Sequence, residues 1–298
     1  MRLALATCSG LPDWEVDDRP FHRALEARGV DVSLPAWDAP SFPWSEQDAC
    51  LIRTTWDYME RREELVAWAE RVERQTRLLH PAAVVRWNTH KGYLRELEAA
   101  GIPVVPTVWL RPGDRPELAS LLEETVWERA FCKPAVGATA RETRRFTRSP
   151  ADVRAAQEHL GRLLAAGEEV LLQPYLSSVE RHGEVSAVAI AEASLRGVRK
   201  IPVPGDYRVQ DDFGAHDEPF DLPDGVVRSA TRAFAFAAER LGVDLLYGRA
   251  DFLRDDEGVY RLTELELVEP SLFFRHDPGS AEILAEALLA RLERSATG

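Results

Sequence analysis

The order of short apolar runs and helical segments in the first 85 residues is what most narrows the fold. Runs at 2–7 (RLALAT), 30–34 (VDVSL) and 49–54 (ACLIRT) alternate with segments at 18–28 and 60–76 that carry apolar residues at helical spacing. Strand, helix, strand in that order predicts a mostly parallel sheet. Ligands of such sheets lie beyond the carboxyl ends of the strands, here residues 7–9 and 53–57.

The pattern then changes. A helix is expected from residue 88 (NTHKGYLRELEAAG) to Gly101, an apt terminus, followed by the apolar stretch IPVVPTVWL. Prolines at 103, 106, 112 and 116 suggest a boundary. Beyond it the sequence predicts a helix near 115–124, strands at 129–133, 143–147 and 169–175, a small loop at 135–141 and a helix at 150–165. EVSAVAIAEA and LRGVRKIPV predict two adjacent strands, 224–241 a long helix, 245–254 and 259–267 two further strands, and 280–293 a last helix. A chain of 298 residues has room for two or three packed units at roughly 150 residues each. The expected fold is α/β and α+β.

Charge and cysteine usage exclude several classes. The formal net charge of −13 disfavours a polyanion partner, so neither nucleic acid nor an anionic membrane is expected. No run of about 18 apolar residues exists, and MRLALATCSG is too brief and too weakly cationic for a secretory signal. A cytoplasmic protein is expected. Cys8, Cys50 and Cys132 are far apart and outside any C-x-x-C or C-x-x-H pair, which suits buried apolar residues in a reducing compartment.

The segment RADFLRDDEGVYRLTELELVEPSLFF, residues 249–274, is the most informative chemically. With side chains alternating along a strand, Arg249, Asp251 and Leu253 share one face, as do Glu264 and Glu266 on the next strand. Two antiparallel strands would bring Asp251, Glu264 and Glu266 together beside Arg249. Converging carboxylates repel one another, and a hard cation such as Mg2+ is their natural partner. On pattern alone, the solvated face of a hairpin explains the same acids.

Other segments bear on that choice. FCKPAVGATARET sets Lys133 at the end of an apolar strand, before a turn with Gly137 and Arg141, where a lysine and exposed amides can neutralise a phosphate. QPYLSSVERHGEV follows a strand with Gln173, Tyr175, Glu180 and Glu184, suited to a nucleobase edge and ribose hydroxyls or to a plain solvated connector. Asp13, Glu15, Asp17 and Asp18 suit either an amine or a helix start. RTTWDY puts Arg53 and aromatic rings at a strand end, where they fit an amino-acid-like substrate or a core edge. Ser271, after Pro270, is placed to donate to a substrate or to cap a turn.

Taken in order, Asn88 and Lys91, Lys133-Pro134 with its small-residue loop, QPYL, KIPVPGDYRVQDDFGA, R-x-D at 249–251 and E-L-E-L-V-E-P at 264–270 resemble the ATP-grasp superfamily of carboxylate-amine ligases. The series is nearest to the prokaryotic glutathione synthetase-like branch and is similar to its cycloserine-forming cyclo-ligase group. The resemblance spans roughly 88–275. It implies an N-terminal Rossmann-like (pre-ATP-grasp) substrate domain at 1–87, a central lid at 108–174, and a C-terminal antiparallel-sheet domain with the Mg-ATP site at 88–107 and 175–298. It also implies that Lys91 and Lys133 meet ATP phosphates, with Lys133 also near the adenine, and that residues 137–141 close over them. Gln173, Pro174, Tyr175 and Leu176 would form the adenine hinge, Glu180 or Glu184 would hold the ribose, and Lys200 and Arg208 would reach the γ-phosphate or the substrate carboxylate. Asp251, Glu264 and Glu266 match the metal-binding acids, with Glu266 where relatives usually have Asn. The cover loop GATARET has fewer glycines than the family's, and FGAH has one glycine where related enzymes often have two.

The expected activity is phosphorylation of a small substrate carboxylate by ATP to an acyl phosphate, followed by attack of an amine and release of ADP and phosphate. Positioning and charge stabilisation then carry the reaction, with Arg249 facing the developing charge and a closing lid excluding water. Consistent with that, none of the seven histidines sits in a nucleophile-base constellation. The amine comes from the same molecule in a cyclo-ligase and from a second one in an amino-acid or peptide ligase; an inactive ATP-binding regulator is the third reading. Asp251→Asn and Glu264→Gln are both expected to abolish turnover and leave the fold intact. A homodimer is expected on frequency alone.

Overall fold

The computed structural model describes residues 1–11, 16–210 and 213–296. Strands β1 (Arg2–Thr7), β2 (Asp31–Ser33), β3 (Ala49–Thr54) and β4 (Arg77–Leu79) form a parallel sheet in the order β2-β1-β3-β4, connected through α1 (Arg19–Glu26) and α2 (Arg62–Glu73). Residues 3–6 of β1 are wholly buried, as expected for a strand covered on both faces. Leu3 and Leu5 pack with Phe21 and Leu25 of α1 on one side, while Ala4 and Ala6 join the cluster of Trp68 on α2. The sequence pattern misses β4, whose three residues are too few to show an alternation.

A separate helix, α3 (Ala82–Asn88), ends where the helix expected from 88 to Gly101 should begin, and of that expected helix only α4 (Tyr93–Ala99) forms. Between them the Lys91 amide donates to Ala135 O at 2.8 Å instead of to its own helix. That bond carries Lys91 to the neighbouring sheet. Gly101 ends α4 at φ +76°, where Ile102 N–H donates to Leu97 O, a terminus that favours a residue without Cβ.

Next come β5 (Val108–Leu110), α5 (Leu118–Thr125), β6 (Arg129–Pro134), β7 (Arg144–Thr147), α6 (Pro150–Ala165) and β8 (Val170–Pro174). They make an antiparallel sheet, β5-β8-β6-β7, whose Cys132, Phe146 and Leu172 pack under Leu118, Leu122, Leu160 and Leu163 of the two helices. Ser149 caps α6 by accepting from the Asp152 amide at 3.2 Å.

After the single turn α7 (Val179–His182), β9 (Glu184–Ile190), β10 (Arg196–Ile201), β11 (His216–Pro219), α8 (Asp224–Leu241), β12 (Tyr247–Arg254) and β13 (Tyr260–Glu266) build a five-stranded antiparallel sheet, β11-β10-β9-β12-β13. The small face of α8 (Ala230, Ala233, Ala237) lies against Ala187, Ala250 and Leu265, so the alternate residues of the strands point to the opposite face. That face carries the acids. Gly183, at φ +68°, closes α7 just before β9; a Cβ there would sit 2.3 Å from Lys200 O and push β10 away. Helix α9 (Gly279–Ala296) packs on α1, where Glu282 and Glu286 pair with Arg28. All three cysteines are buried and free, and no helix among the described residues is long and apolar enough to cross a membrane.

Candidate active site

Register sets the chemistry of the acid face. Arg249 lies opposite Glu266 and Asp251 opposite Glu264 across β12 and β13, with a register shift just after Asp251. Asp251 is 3% exposed and accepts from Ser186 Oγ at 2.6 Å, Arg249 Nε at 3.0 Å and Lys200 Nζ at 3.1 Å. Burial works against its charge, but Arg249 and Lys200 outweigh it and hold the carboxyl well below the usual carboxylate range. Glu264 pairs with Lys91 Nζ at 2.7 Å, Glu266 with Arg249, and Glu184 with Lys200.

The three acids, Asp251, Glu264 and Glu266, stand near Arg249, and each is paired. Among the described residues no three acids surround one point as a ready cation cage. Each is neutralised by a base on a neighbouring element, because an uncompensated charge is costly in a buried cleft. The oxygen donors nonetheless fit a hard divalent cation. Burial and the neighbouring Asp251, Glu264 and Glu269 push Glu266 up to about 8 against the pull of Arg249, and burial pushes Glu269 to about 7. Of these two, Glu266 stands among the candidate metal-binding acids, and it needs added positive charge to ionise fully.

Two clefts meet here, sharing Ala138, Thr139, Glu184, Val209, Gln210 and Glu264 as a common wall. The first is lined by Lys91, Lys133, Gly137, Arg141, Tyr175, Leu176, Arg208 and the apolar Phe131, Val179 and Leu253. Lys91 donates to Gly137 O at 2.6 Å, tying the small-residue loop to the acids. Lys133 makes no ion pair among the described residues; burial pulls its amine down to about 8 although Glu264 opposes this. Arg141 pairs with Glu168 at 2.9 Å. Thr139, Ala140 and Glu142 all stand at positive φ, a conformation costing roughly 1 kcal/mol or more for each non-glycine residue. The glycine-poor loop is held in a strained shape.

Other sequence-derived candidates lie apart from this wall. Gln173 is buried and donates to Thr107 Oγ1 at 2.8 Å, and neither it nor Pro174 lines the cleft. Glu180, exposed, accepts from the Tyr175 hydroxyl, whereas Glu184 lies at the junction of the two clefts. Arg208 is clasped by Asp206 at 2.7 Å over the Phe213 ring and borders the first cleft only, while Lys200 borders the second.

The second cleft joins Lys200, Arg249, Asp251, Glu264, Glu266 and Ser271 to Trp56, Tyr58, Glu269, Phe273 and Arg275. Ser271 Oγ donates to Asp17 at 2.9 Å. Asp17 also accepts from the Arg275 backbone at 3.0 Å, and Asp18 is consumed by a two-pronged pair with Arg53 at 2.8 and 2.9 Å, so neither is a simple amine site. Asp13 and Glu15 lie outside the described residues. Arg53 is wholly buried, which settles the choice for the core edge and against direct substrate contact.

What sequence reasoning missed is how the segment after β13 is held, and that Glu269 lines the second cleft. The segment's five consecutive carbonyls, 267–271, each accept from a side chain: Leu267 from His80 Nδ1 at 2.6 Å, Val268 at 2.9 Å from the Tyr247 hydroxyl, which it shares with the nearer Ile52 O, Glu269 from Trp56 Nε1 at 2.9 Å, Pro270 from Arg53 Nη2 at 3.0 Å and Ser271 from Arg249 Nη1 at 3.1 Å. His80 Nε2 accepts from the Leu246 amide at 2.8 Å, which leaves Nδ1 as the donor, and burial lowers this histidine to about 4, keeping it neutral. Asn88 holds the start of the segment through Leu265 O and the Leu267 amide. The five donors come from positions 53, 56, 80, 247 and 249, so no local motif announces the cradle.

Residues 3–80 match the family model described as D-cycloserine synthetase DcsG, N-terminal domain. The cycloserine biosynthesis protein DcsG of Streptomyces lavendulae is 33% identical over 300 residues, 98% of this chain and 99% of that protein. The crystal structure of D-cycloserine synthetase DcsG superposes with a TM-score of 0.87 at 30% identity, over 98% of this chain and 100% of that one. D-alanine–D-alanine ligase from Bacillus anthracis (TM-score 0.67, 12% identity, 99% of both chains) and the ATP-grasp ligase PsnB solved with minimal precursor, Mg and ADP (TM-score 0.61, 19% identity, 98% of both) share the fold.

Proposed function

The chain belongs to the D-cycloserine synthetase family of ATP-grasp ligases, ATP-dependent enzymes that form carbon–nitrogen bonds, and from that premise we propose that it activates the carboxylate of a small amino-acid-derived substrate as an acyl phosphate and closes an amide-type ring within the same molecule. The observation that carries this reading is the pair of clefts with a common wall at Glu184 and Glu264. A nucleotide in the first would direct its terminal phosphate into the second, where the carboxylate waits. Ring closure is favoured over an intermolecular ligase by the 33% identity, along the whole chain, to a cycloserine biosynthesis protein.

In this reading Tyr175 and Leu176 flank the adenine with Gln173 and Pro174 supporting them from the strand, and Glu180 or Glu184 takes the ribose. Lys91 and Lys133 face the phosphates, Gly137 and Arg141 belong to the cover, and Arg208 sits at its edge. Asp251, Glu264 and Glu266 would hold Mg2+, which offsets charge on the β- and γ-phosphates. Arg249 and Lys200 are already fixed by Asp251, so they offer positive charge to the moving phosphoryl group without reorganising. Ser271 would donate to the substrate once its hydroxyl turns away from Asp17. Residues 1–87 would form the substrate wall, 108–174 the lid, and 88–107 with 175–298 the Mg-ATP platform.

The test is product release from Mg-ATP with amino acids and ureido- or hydroxylamine-bearing derivatives, supplied singly and in pairs. ADP and phosphate from a single substrate are expected. A strict requirement for a pair would replace ring closure with intermolecular ligation, and AMP with pyrophosphate would overturn the acyl phosphate.

Lys133 gives a second, independent check. Its ammonium makes no ion pair among the described residues, and a charge-assisted contact to a phosphate is worth roughly 1.5–3 kcal/mol, so Lys133→Ala should weaken ATP binding by about 10- to 100-fold. A lysine lowered to about 8 is charged below that pH and neutral above it. Wild-type affinity should therefore fall between pH 7 and 9, and the variant's should not. Calorimetry at both pH values decides; equal nucleotide affinities for variant and wild type would remove Lys133 from the site.

A further inference from the structure

Glu269 has no part in the phosphate chemistry just described, yet the fold goes to some length to place it. The carbonyls of residues 267–271 are all bound by side chains, and three of the donors, Arg53 on β3, Trp56 just after it and His80 just after β4, come from the N-terminal parallel sheet and its loops. An irregular segment gripped this closely presents its side chains in one orientation. What it presents to the second cleft is a carboxyl lying against the Tyr58 hydroxyl, with the Trp56 ring on the same wall. Among the described residues no basic side chain pairs with Glu269 within 4 Å, in contrast to Asp251, Glu264, Glu266 and Glu184.

We propose that Glu269, flanked by Trp56 and Tyr58, is the specificity subsite for a free primary ammonium group of the substrate, one that is recognised but not consumed. The inference rests on the ring-closing reading above, and it adds the requirement that the substrate keep an unmodified amine. A carboxylate beside two electron-rich rings suits an alkylammonium, which gains a charge-assisted hydrogen bond and the attraction of the ring faces. Such a cation would also satisfy the acid, which burial now pushes toward its neutral form. Arg249 and Lys200 stand elsewhere in the same cleft, so an amino acid can lie with its ammonium at Glu269 and its carboxylate toward the phosphoryl donor.

The experiment is calorimetry on the full chain loaded with Mg-ADP, using D-cycloserine and N-acetyl-D-cycloserine as probes and D-serine with N-acetyl-D-serine as a second pair. The wild type should prefer the free amine by at least about tenfold, E269Q should show less than about a twofold preference, and E269D should recover part of it, all with Mg-ATP affinity unchanged. Full preference retained in E269Q overturns the assignment and leaves the ring-closing reading standing. Binding of the serine pair alone, with a preference that E269Q loses, supports the subsite and overturns the cycloserine-type product. A wild type that prefers the free amine in neither pair, or an E269Q whose only defect is in Mg2+ affinity, overturns the subsite.

Discussion

Glu264→Gln should lower ADP formation by about a thousandfold or more without changing thermal stability much, and Asp251→Asn should lose the activity and several kcal/mol of stability together. Glu264 borders both clefts and holds one base, Lys91, at their junction. On the proposed reading Glu264 helps hold the Mg2+ that would offset phosphoryl charge, and weakening that electrostatic stabilisation is expected to cost on the order of 10²–10³-fold or more. Asp251 differs because it is the shared anion of Arg249, Lys200 and Ser186 in a nearly solvent-free setting. Removing one partner of a buried charge set costs about 3–5 kcal/mol, a fall in Tm of roughly 6–20 °C at about 2–4 °C per kcal/mol. The sequence reading treats the two acids alike and expects both folds intact; the hydrogen bonds separate them. Wild-type ADP release by E264Q would remove Glu264 from the reaction, and equal melting of the two variants would contradict the buried network.

The contrast shows which parts of the site a sequence can carry. Alternation along 249–254 and 260–266 places Arg249 beside Asp251 and Glu264 beside Glu266 with no further information, and strand adjacency then brings the pairs together as the register confirms. The parallel sheet is legible for the same reason, since runs such as LALA buried on both faces have few alternatives. Partnership is not legible. That Lys91 leaves its helix to meet Glu264 follows from a backbone bond to Ala135, 44 positions along the chain, and the helix pattern of 88–101 conceals it. Gln173 shows the same limit, because the pattern of the hinge motif does not tell that its side chain is spent on Thr107. The cradle under Glu269 is the extreme case, a local structure made entirely of distant donors.

Arg53→Met should unfold the protein at a temperature lower by roughly 6–20 °C, and the double variant with Asp18→Leu should regain most of that stability but little of the activity. Arg53 and Asp18 have essentially no solvent contact, and their two-pronged pair is reinforced by the Tyr247 ring, 4.7 Å from the guanidinium carbon. Removing the arginine strands Asp18 as an unpaired buried charge, which costs about 3–5 kcal/mol, whereas replacing both partners by apolar groups is often neutral. If the pair served stability alone, the double variant would work as well as the wild type. Arg53 also donates to Pro270 O, between the carbonyls of Glu269 and Ser271, and no apolar side chain can supply that bond. The segment should then loosen by fractions of an ångström at both presented side chains. The expected signature is a melting temperature close to wild type, a raised KM for the amine-bearing substrate, and unchanged Mg-ATP affinity. A double variant with wild-type KM would show that the parallel sheet merely supports the cleft, and a single Arg53→Met with wild-type melting would show that the buried pair contributes nothing to stability.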